Sequence, residues 1–325
     1  MNPPTNSISI HTSTIIKAIA ILLVILGHNH ILAPNDGSST LFNYLYRFHV
    51  SLFFILPFFY NKPEQLNWHN ISKTITKNGI PYILFFTICY GLYHFIIIKD
   101  GCTFSTYFKG IIEYPGFTVK SVTGFYFIWF LPVFMIMSII KLFGYNHKYY
   151  IIIFFIIGLS ISNTNYNQAP FYICRALVYY TMGIFAYYLS KFIKNIDEIG
   201  CLFFFMLSIL FWTDIYKANY IIFSISAFFT IKKIVSIIDF QRIPFLSLIG
   251  KYSLPIYLTH VFIYNVLERI LPHTLLWGIL IYLITIGLSL SISIVIYKIE
   301  VIRKFLFPKS WKEWIHFYQT TKALN

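Results

Sequence analysis

Apolar residues dominate this chain in long unbroken runs, separated by short polar connections. Ten stretches are long and hydrophobic enough to cross a hydrocarbon layer of about 30 Å, at residues 13–33, 41–60, 79–98, 124–143, 149–163, 170–190, 199–216, 219–238, 246–267 and 275–297. Those at 149–163 and 199–216 are the shortest. Turn-forming residues mark the connections, among them Pro34-Asn35-Asp36-Gly37, Asn61-Lys62-Pro63, Asn163 to Gln168, and Leu271-Pro272. The pattern predicts an all-α, polytopic membrane helix bundle of about ten transmembrane helices. It divides into a membrane domain at 1–307 and a short tail at 308–325, whose Trp311 and Trp314 suit a membrane surface. The longest connection, 99–123, has room for a re-entrant or interfacial piece.

Lysine and arginine alternate in density between successive connections. One side receives Lys62, Lys73, Lys77, Lys141, Lys148, Lys191, Lys194, Lys232, Lys233, Arg242 and the basic tail. The other receives Lys99, Lys109, Lys120, Lys217 and Arg269, with none in 34–40 or 164–169. The positive-inside rule then places both termini in the cytoplasm. Composition agrees with a membrane protein: of 325 residues, 58% are hydrophobic and only 11% charged. The net charge of +14 follows this loop pattern, and with no basic face or arginine-rich run it does not point to nucleic acid. Four scattered cysteines (Cys89, Cys102, Cys174 and Cys201) show no metal-ligand spacing; unpaired thiols are expected, with a Cys102–Cys174 bridge as the alternative. The first apolar run lacks a small-residue cleavage site and reads as a retained span.

Candidate chemistry gathers around that first run, Ser13 to Asn35. Lys17 and His28 are separated by ten uncharged residues, and eleven helical steps amount to three turns plus about 20°, so both side chains share a face about 16 Å apart along the axis. His30 falls on about the opposite side by the same arithmetic. An ammonium and an imidazole on one face of a membrane helix are costly to bury and are usually kept for function. The same topology brings Arg47 and His49, His260, Arg175, and Tyr126 with Trp129 toward the outer half of the membrane. Each residue has a plainer role open to it. His28, His49 and His260 can satisfy a neighbouring helix, and Lys17 can be an anchor reaching the basic side. The eleven acidic residues all fall in connections or near span ends, so no carboxylate is visible to orient His28, and an ion-coupled transporter is disfavoured. An imidazole can still act alone as a general base.

At these positions the sequence resembles the acyltransferase-three family of integral membrane O-acyltransferases. The resemblance rests on a basic residue, ten residues and a histidine (Lys17 to His28, with its Gly27-His28 end), and on Phe48-His49-Val50-Ser51-Leu52-Phe53-Phe54. Further matches are Ile80-Pro81-Tyr82, Trp129-Phe130-Leu131-Pro132, and Ile249-Gly250-Lys251-Tyr252-Ser253-Leu254 followed by Tyr257-Leu258-Thr259-His260. They extend over most of the chain in family order. Lysine at 17 and the Trp-Phe-Leu-Pro run are similar to the sugar O-acetylase branch. Departures are Lys73 and Lys77, where the family carries differently spaced arginines, and Pro57, where it has small residues.

The resemblance implies an acyl donor, acetyl-CoA, from the cytoplasm and a hydroxyl of a cell-surface or lipid-linked sugar as acceptor, in the inner membrane of a bacterium, as in O-antigen modification. No metal is implied. Lys17, Lys73 and Lys77 would hold the donor's phosphates, His28 would take the hydroxyl proton, and Arg47, Tyr257 or His49, with His260 nearby, would stabilise the oxyanion. The rival readings are a polytopic glycan flippase or polymerase, for which the connections are short, and a small-molecule transporter, for which paired helix breaks in two halves are not evident.

Overall fold

Ser9 opens the first helix by accepting the N–H of Thr12 at 3.0 Å, and the helix, α1, runs from Ile10 to Gly27. It begins earlier and ends earlier than the apolar run. The reason for its end lies in Asn29, whose side-chain oxygen captures the N–H groups of Ile31 (3.2 Å) and Leu32 (3.0 Å) and so turns the chain out of the helix. The computed structural model describes residues 8–34, 39–60, 65–99, 103–112, 126–162, 172–212, 214–238, 240 and 243–315. Lys62, Lys120, Arg242, Cys102 and the tail beyond 315 lie outside them, as does most of the 99–123 connection.

The remaining helices are α2 (Thr40–Phe48), α3 (Ser51–Ile55), α4 (Trp68–Gly91), α5 (Phe104–Ile112), α6 (Phe130–Asn146), α7 (Lys148–Ser162), α8 (Tyr172–Phe192), α9 (Ile196–Leu210), α10 (Tyr220–Ile237), α11 (Pro244–Lys251), α12 (Ser253–Ile270), α13 (Leu275–Lys298) and α14 (Glu300–Leu306). The fold is all-α, with no strand among the described residues. Among the described residues, six helical segments are long and apolar enough to cross a membrane, seven if the bent pair α11–α12 counts as one span. The 15-residue α7 and α9, and the longer α8, fall outside that set.

Three expected spans are built differently from a plain rod. The second is α2, α3 and a tight 3-10 turn at Leu56–Phe59 that carries Pro57 in its first turn. The third begins at Trp68, where Asn67 caps the N–H of Asn70 at 2.9 Å, so Lys73 and Lys77 sit on helix and not in a connection. The ninth is broken, with α11 and α12 meeting at 85°. Pro255, the third residue of α12, has no N–H to give the Lys251 carbonyl, which removes one rung of the ladder across this bend.

The described chain forms two compact units, Met1–Lys62 with Met182–Val295, and Pro63–Thr181 with Ile296–Asn325. In the first, α1 is the central rod, packed by α11, α12, α10, α2 and α3. Its apolar residues are buried on several sides (Ile15, Ile16, Ala18, Ala20, Ile21, Val24 and Ile25), as expected of a helix hydrophobic all round. Gly250 permits the approach of α11: a Cβ there would lie inside the van der Waals surface of the Thr14 carbonyl oxygen. In the second unit, α4 packs on α6, and Tyr82 donates to the Ile111 carbonyl at 3.1 Å and shares a hydrogen bond with Tyr172 at 3.0 Å.

Candidate active site

His28 is the residue on which α1 ends. Its backbone is still near-helical (φ −87°, ψ −7°) and its N–H bonds the Val24 carbonyl at 3.1 Å, so the shared face with Lys17 survives the shortening of the helix. The His28 ring is partly exposed and has no hydrogen-bond partner among the described residues. It lies against two other rings, His260 of α12 at 5.2 Å between centroids and Tyr46 of α2 edge-on at 6.2 Å.

The two neighbouring histidines are held by backbone. Nδ1–H of His260 donates to the Tyr257 carbonyl at 2.7 Å, and that of His49 donates to the Leu45 carbonyl. Each bond selects the tautomer with hydrogen on Nδ1 and leaves Nε2 as the acceptor nitrogen. His260 is fully buried and His49 nearly so. Tyr46 links the set, 4.9 Å from the His49 ring, and Tyr257 lies 5.8 Å from His260. Thus His28, His49, His260 and Tyr257 come from three elements to one place in the first unit.

Arg47 is engaged on a different task. Its Nε donates to the Ile215 carbonyl at 3.2 Å, a terminal nitrogen donates to the Ala218 carbonyl at 2.9 Å, and the guanidinium lies 5.6 Å from the centre of the Tyr220 ring. It thereby clamps α2 to the turn that precedes α10. Lys17 is half-buried on α1, three turns before His28. A cleft of ≈ 320 Å³ opens at this end of α1, lined by Ser9, His11 and Thr12 and by residues 235–238 and 240. Lys73 and Lys77 lie in the second unit, exposed and four residues apart on one face of α4. Arg175 and Trp129 form their own contact there, the guanidinium 5.1 Å from the ring centre.

Four participants escaped sequence reasoning. Tyr46 was hidden among many aromatic residues. Asn29 is fully buried, and its Nδ2 donates to the Gly278 carbonyl of α13 at 2.8 Å, which pins the turn after His28. Tyr264 and Glu268 follow His260 at successive four-residue steps on α12, a spacing that was readable in advance, and they meet His30. His30 is off the helix, so counting turns from Lys17 could not place it.

Three cysteines, Cys89, Cys174 and Cys201, are free thiols, and no group of three or more metal-ligating side chains occurs among the described residues. Neither the curated proteins nor the solved structures offer a match to this chain. The family model described as an acyltransferase domain matches residues 11–298, which takes in every helix from α1 to α13 apart from the first residue of α1. With an all-α fold, several membrane-length helices and a histidine cluster at the end of the first, the chain belongs to the acyltransferase-three family of membrane acyltransferases.

Proposed function

We propose that the chain is an O-acetyltransferase that carries an acetyl group from cytoplasmic acetyl-CoA to a hydroxyl of a cell-surface or lipid-linked sugar, with His28 as general base. The observation that carries this reading is the state of His28, a partly exposed imidazole with no hydrogen-bond partner among the described residues, beside two buried histidines whose tautomers the backbone selects. Such a ring is available to a ligand in a way that a structural histidine is not.

In this reading the sugar hydroxyl gives its proton to His28 as its oxygen attacks the thioester carbonyl. The new C–O bond forms as the C–S bond breaks, and the imidazolium returns its proton to the departing thiolate, so no proton is gained or lost. Tyr257 is the candidate donor for the oxyanion; His49 and His260, whose Nδ1–H groups are held by backbone carbonyls, would donate to it only when also protonated at Nε2. Arg47 serves by clamping α2, which carries Tyr46 and leads into His49. Lys17 holds a donor phosphate as a flexible point charge at the other end of the rod. The membrane is the inner membrane of a bacterium, with both termini cytoplasmic, and the sugar belongs to a surface polysaccharide such as O-antigen.

The test uses the cells that naturally carry this chain, deleted for it and complemented with either wild type or His28→Ala. Mass spectrometry of the surface glycan should show an acetyl mass with wild type that His28→Ala removes, at equal amounts of protein in the membrane. The loss in rate corresponds to about 10²- to 10⁴-fold for a general base. A glycan of unchanged mass in all three strains, with altered chain length or solute uptake, sinks the reading in favour of a flippase, polymerase or transporter.

A further inference from the structure

The polar line that passes His28 continues beyond it. His260, Tyr264 and Glu268 recur at every fourth position of α12, so they stack on one face over about 12 Å. The turn leaving α1 runs beside them: His28 lies against His260, and His30 against Tyr264 and Glu268. Tyr264 Oη accepts the His30 N–H at 2.6 Å and donates to Glu268 Oε1 at 2.9 Å, while His30 Nδ1 lies 3.4 Å from the same oxygen. Glu268 Oε2 and His30 Nε2 have no hydrogen-bond partner among the described residues. The Glu268 side chain is 19% exposed and that of His30 47%.

These facts describe a carboxylate fixed in orientation through one oxygen, with the other unengaged among the described residues. Tyr264 and His30 engage only one oxygen of this largely buried carboxylate, and the other is left without a hydrogen-bond partner among the described residues, a cost that a ligand's donor would offset. An apolar ligand would deepen that cost, and an anionic one would meet like charge. A neutral polyhydroxylated ligand instead supplies O–H donors for the carboxylate and an acceptor or donor for the imidazole.

We propose that Glu268 and His30 form a second contact for the saccharide acceptor, in which the carboxylate takes a hydrogen bond from a neighbouring hydroxyl and so decides which hydroxyl is presented to His28. The inference rests on the acyl-transfer reading of His28. It makes Glu268 a determinant of acceptor specificity, held in place by Tyr264.

The experiment compares wild type, Glu268→Gln, Glu268→Asp and His30→Gln in the complemented cells, using their own surface glycan as acceptor. Membrane vesicles from these cells, given radiolabelled acetyl-CoA, report the rate and the donor KM. Nuclear magnetic resonance of the released glycan reports the acylated position. Glu268→Gln should lower transfer about 10-fold or more, leave the donor KM unchanged, and spread the acyl group over more than one hydroxyl, with partial recovery in Glu268→Asp. Should Glu268→Gln fail to reach the membrane, the half-exposed His30→Gln decides by the same two readouts. Wild-type rate and a single acyl position in the variants overturn this inference alone. A raised donor KM with an unmoved acyl position also overturns it, by showing a general structural defect. If wild type itself adds no acyl mass, it is the underlying reading that fails.

Discussion

At the scale of single residues, the turn from His28 to Ala33 is fastened more firmly than its length suggests. Asn29 is the fastener, with three hydrogen bonds from a side chain that has no exposure. Asn29→Ala leaves two backbone N–H groups and the Gly278 carbonyl without this partner in a buried place. It should cost about 1–3 kcal/mol, seen as a lower melting temperature of the detergent-purified protein. Activity should fall with it, because the same turn carries His28 and His30. Asn29→Asp keeps the acceptor oxygen but loses the donor, so its loss should be smaller at the helix end and concentrated at α13. The Lys17–His28 relation could be read from sequence because both lie on one helix, or at its last residue, where rotation per residue is constant. The His30–Glu268 relation could not, since one partner sits past the helix end and the other arrives from α12, more than two hundred residues later.

At the scale of elements, α1 and α11 approach so closely that only glycine fits at position 250. Gly250→Ala should therefore force α11 off α1, destabilising the protein by about 1–3 kcal/mol as overpacking does. Gly287→Ala is the internal control. It lies in the middle of α13 with no atom near the added methyl, so helix propensity should make it neutral or stabilising by up to about 1 kcal/mol. Thermal unfolding of the two variants side by side checks both signs, and equal losses would mean that glycine at 250 has no packing role. Element type was largely legible, since each described apolar run carries helix over most of its length, though the run at 13–33 leaves the helix after Gly27 and that at 199–216 after Leu210. The breaks were less so. Pro255 lies inside a stretch apolar enough to read as one span, and hydrophobicity reports which residues avoid water, not whether the backbone ladder is continuous. Likewise the cap at Asn67 starts α4 well before its apolar stretch, and a count of hydrophobic residues cannot register this.

At the scale of the whole molecule, the proposed reaction needs donor and acceptor to be handled at opposite ends of α1. Lys17→Ala should then raise the KM for acetyl-CoA several-fold while leaving the acylated position on the glycan unchanged, the reverse of what Glu268→Gln does. Kinetics at limiting donor in membrane vesicles make the comparison. Wild-type behaviour of Lys17→Ala at limiting donor would return that lysine to the role of a membrane anchor. Family membership was legible because its signatures lie on consecutive residues in the right order, and the family model covers the same ground. Membrane crossing is supported for six or seven segments among the described residues, and the positions of the two termini rest on charge alone.

The uninterrupted ladder of α1 has one last consequence. Ten residues separate Lys17 from His28, and the rod between them offers no slack. Exchanging one aliphatic side chain for another inside it perturbs packing but keeps the two ends in phase. Adding or removing a single residue would swing the imidazole by about 100° and shift it by about 1.5 Å, out of register with His260 and Tyr46. Variation in this stretch should therefore be free in letters and frozen in length.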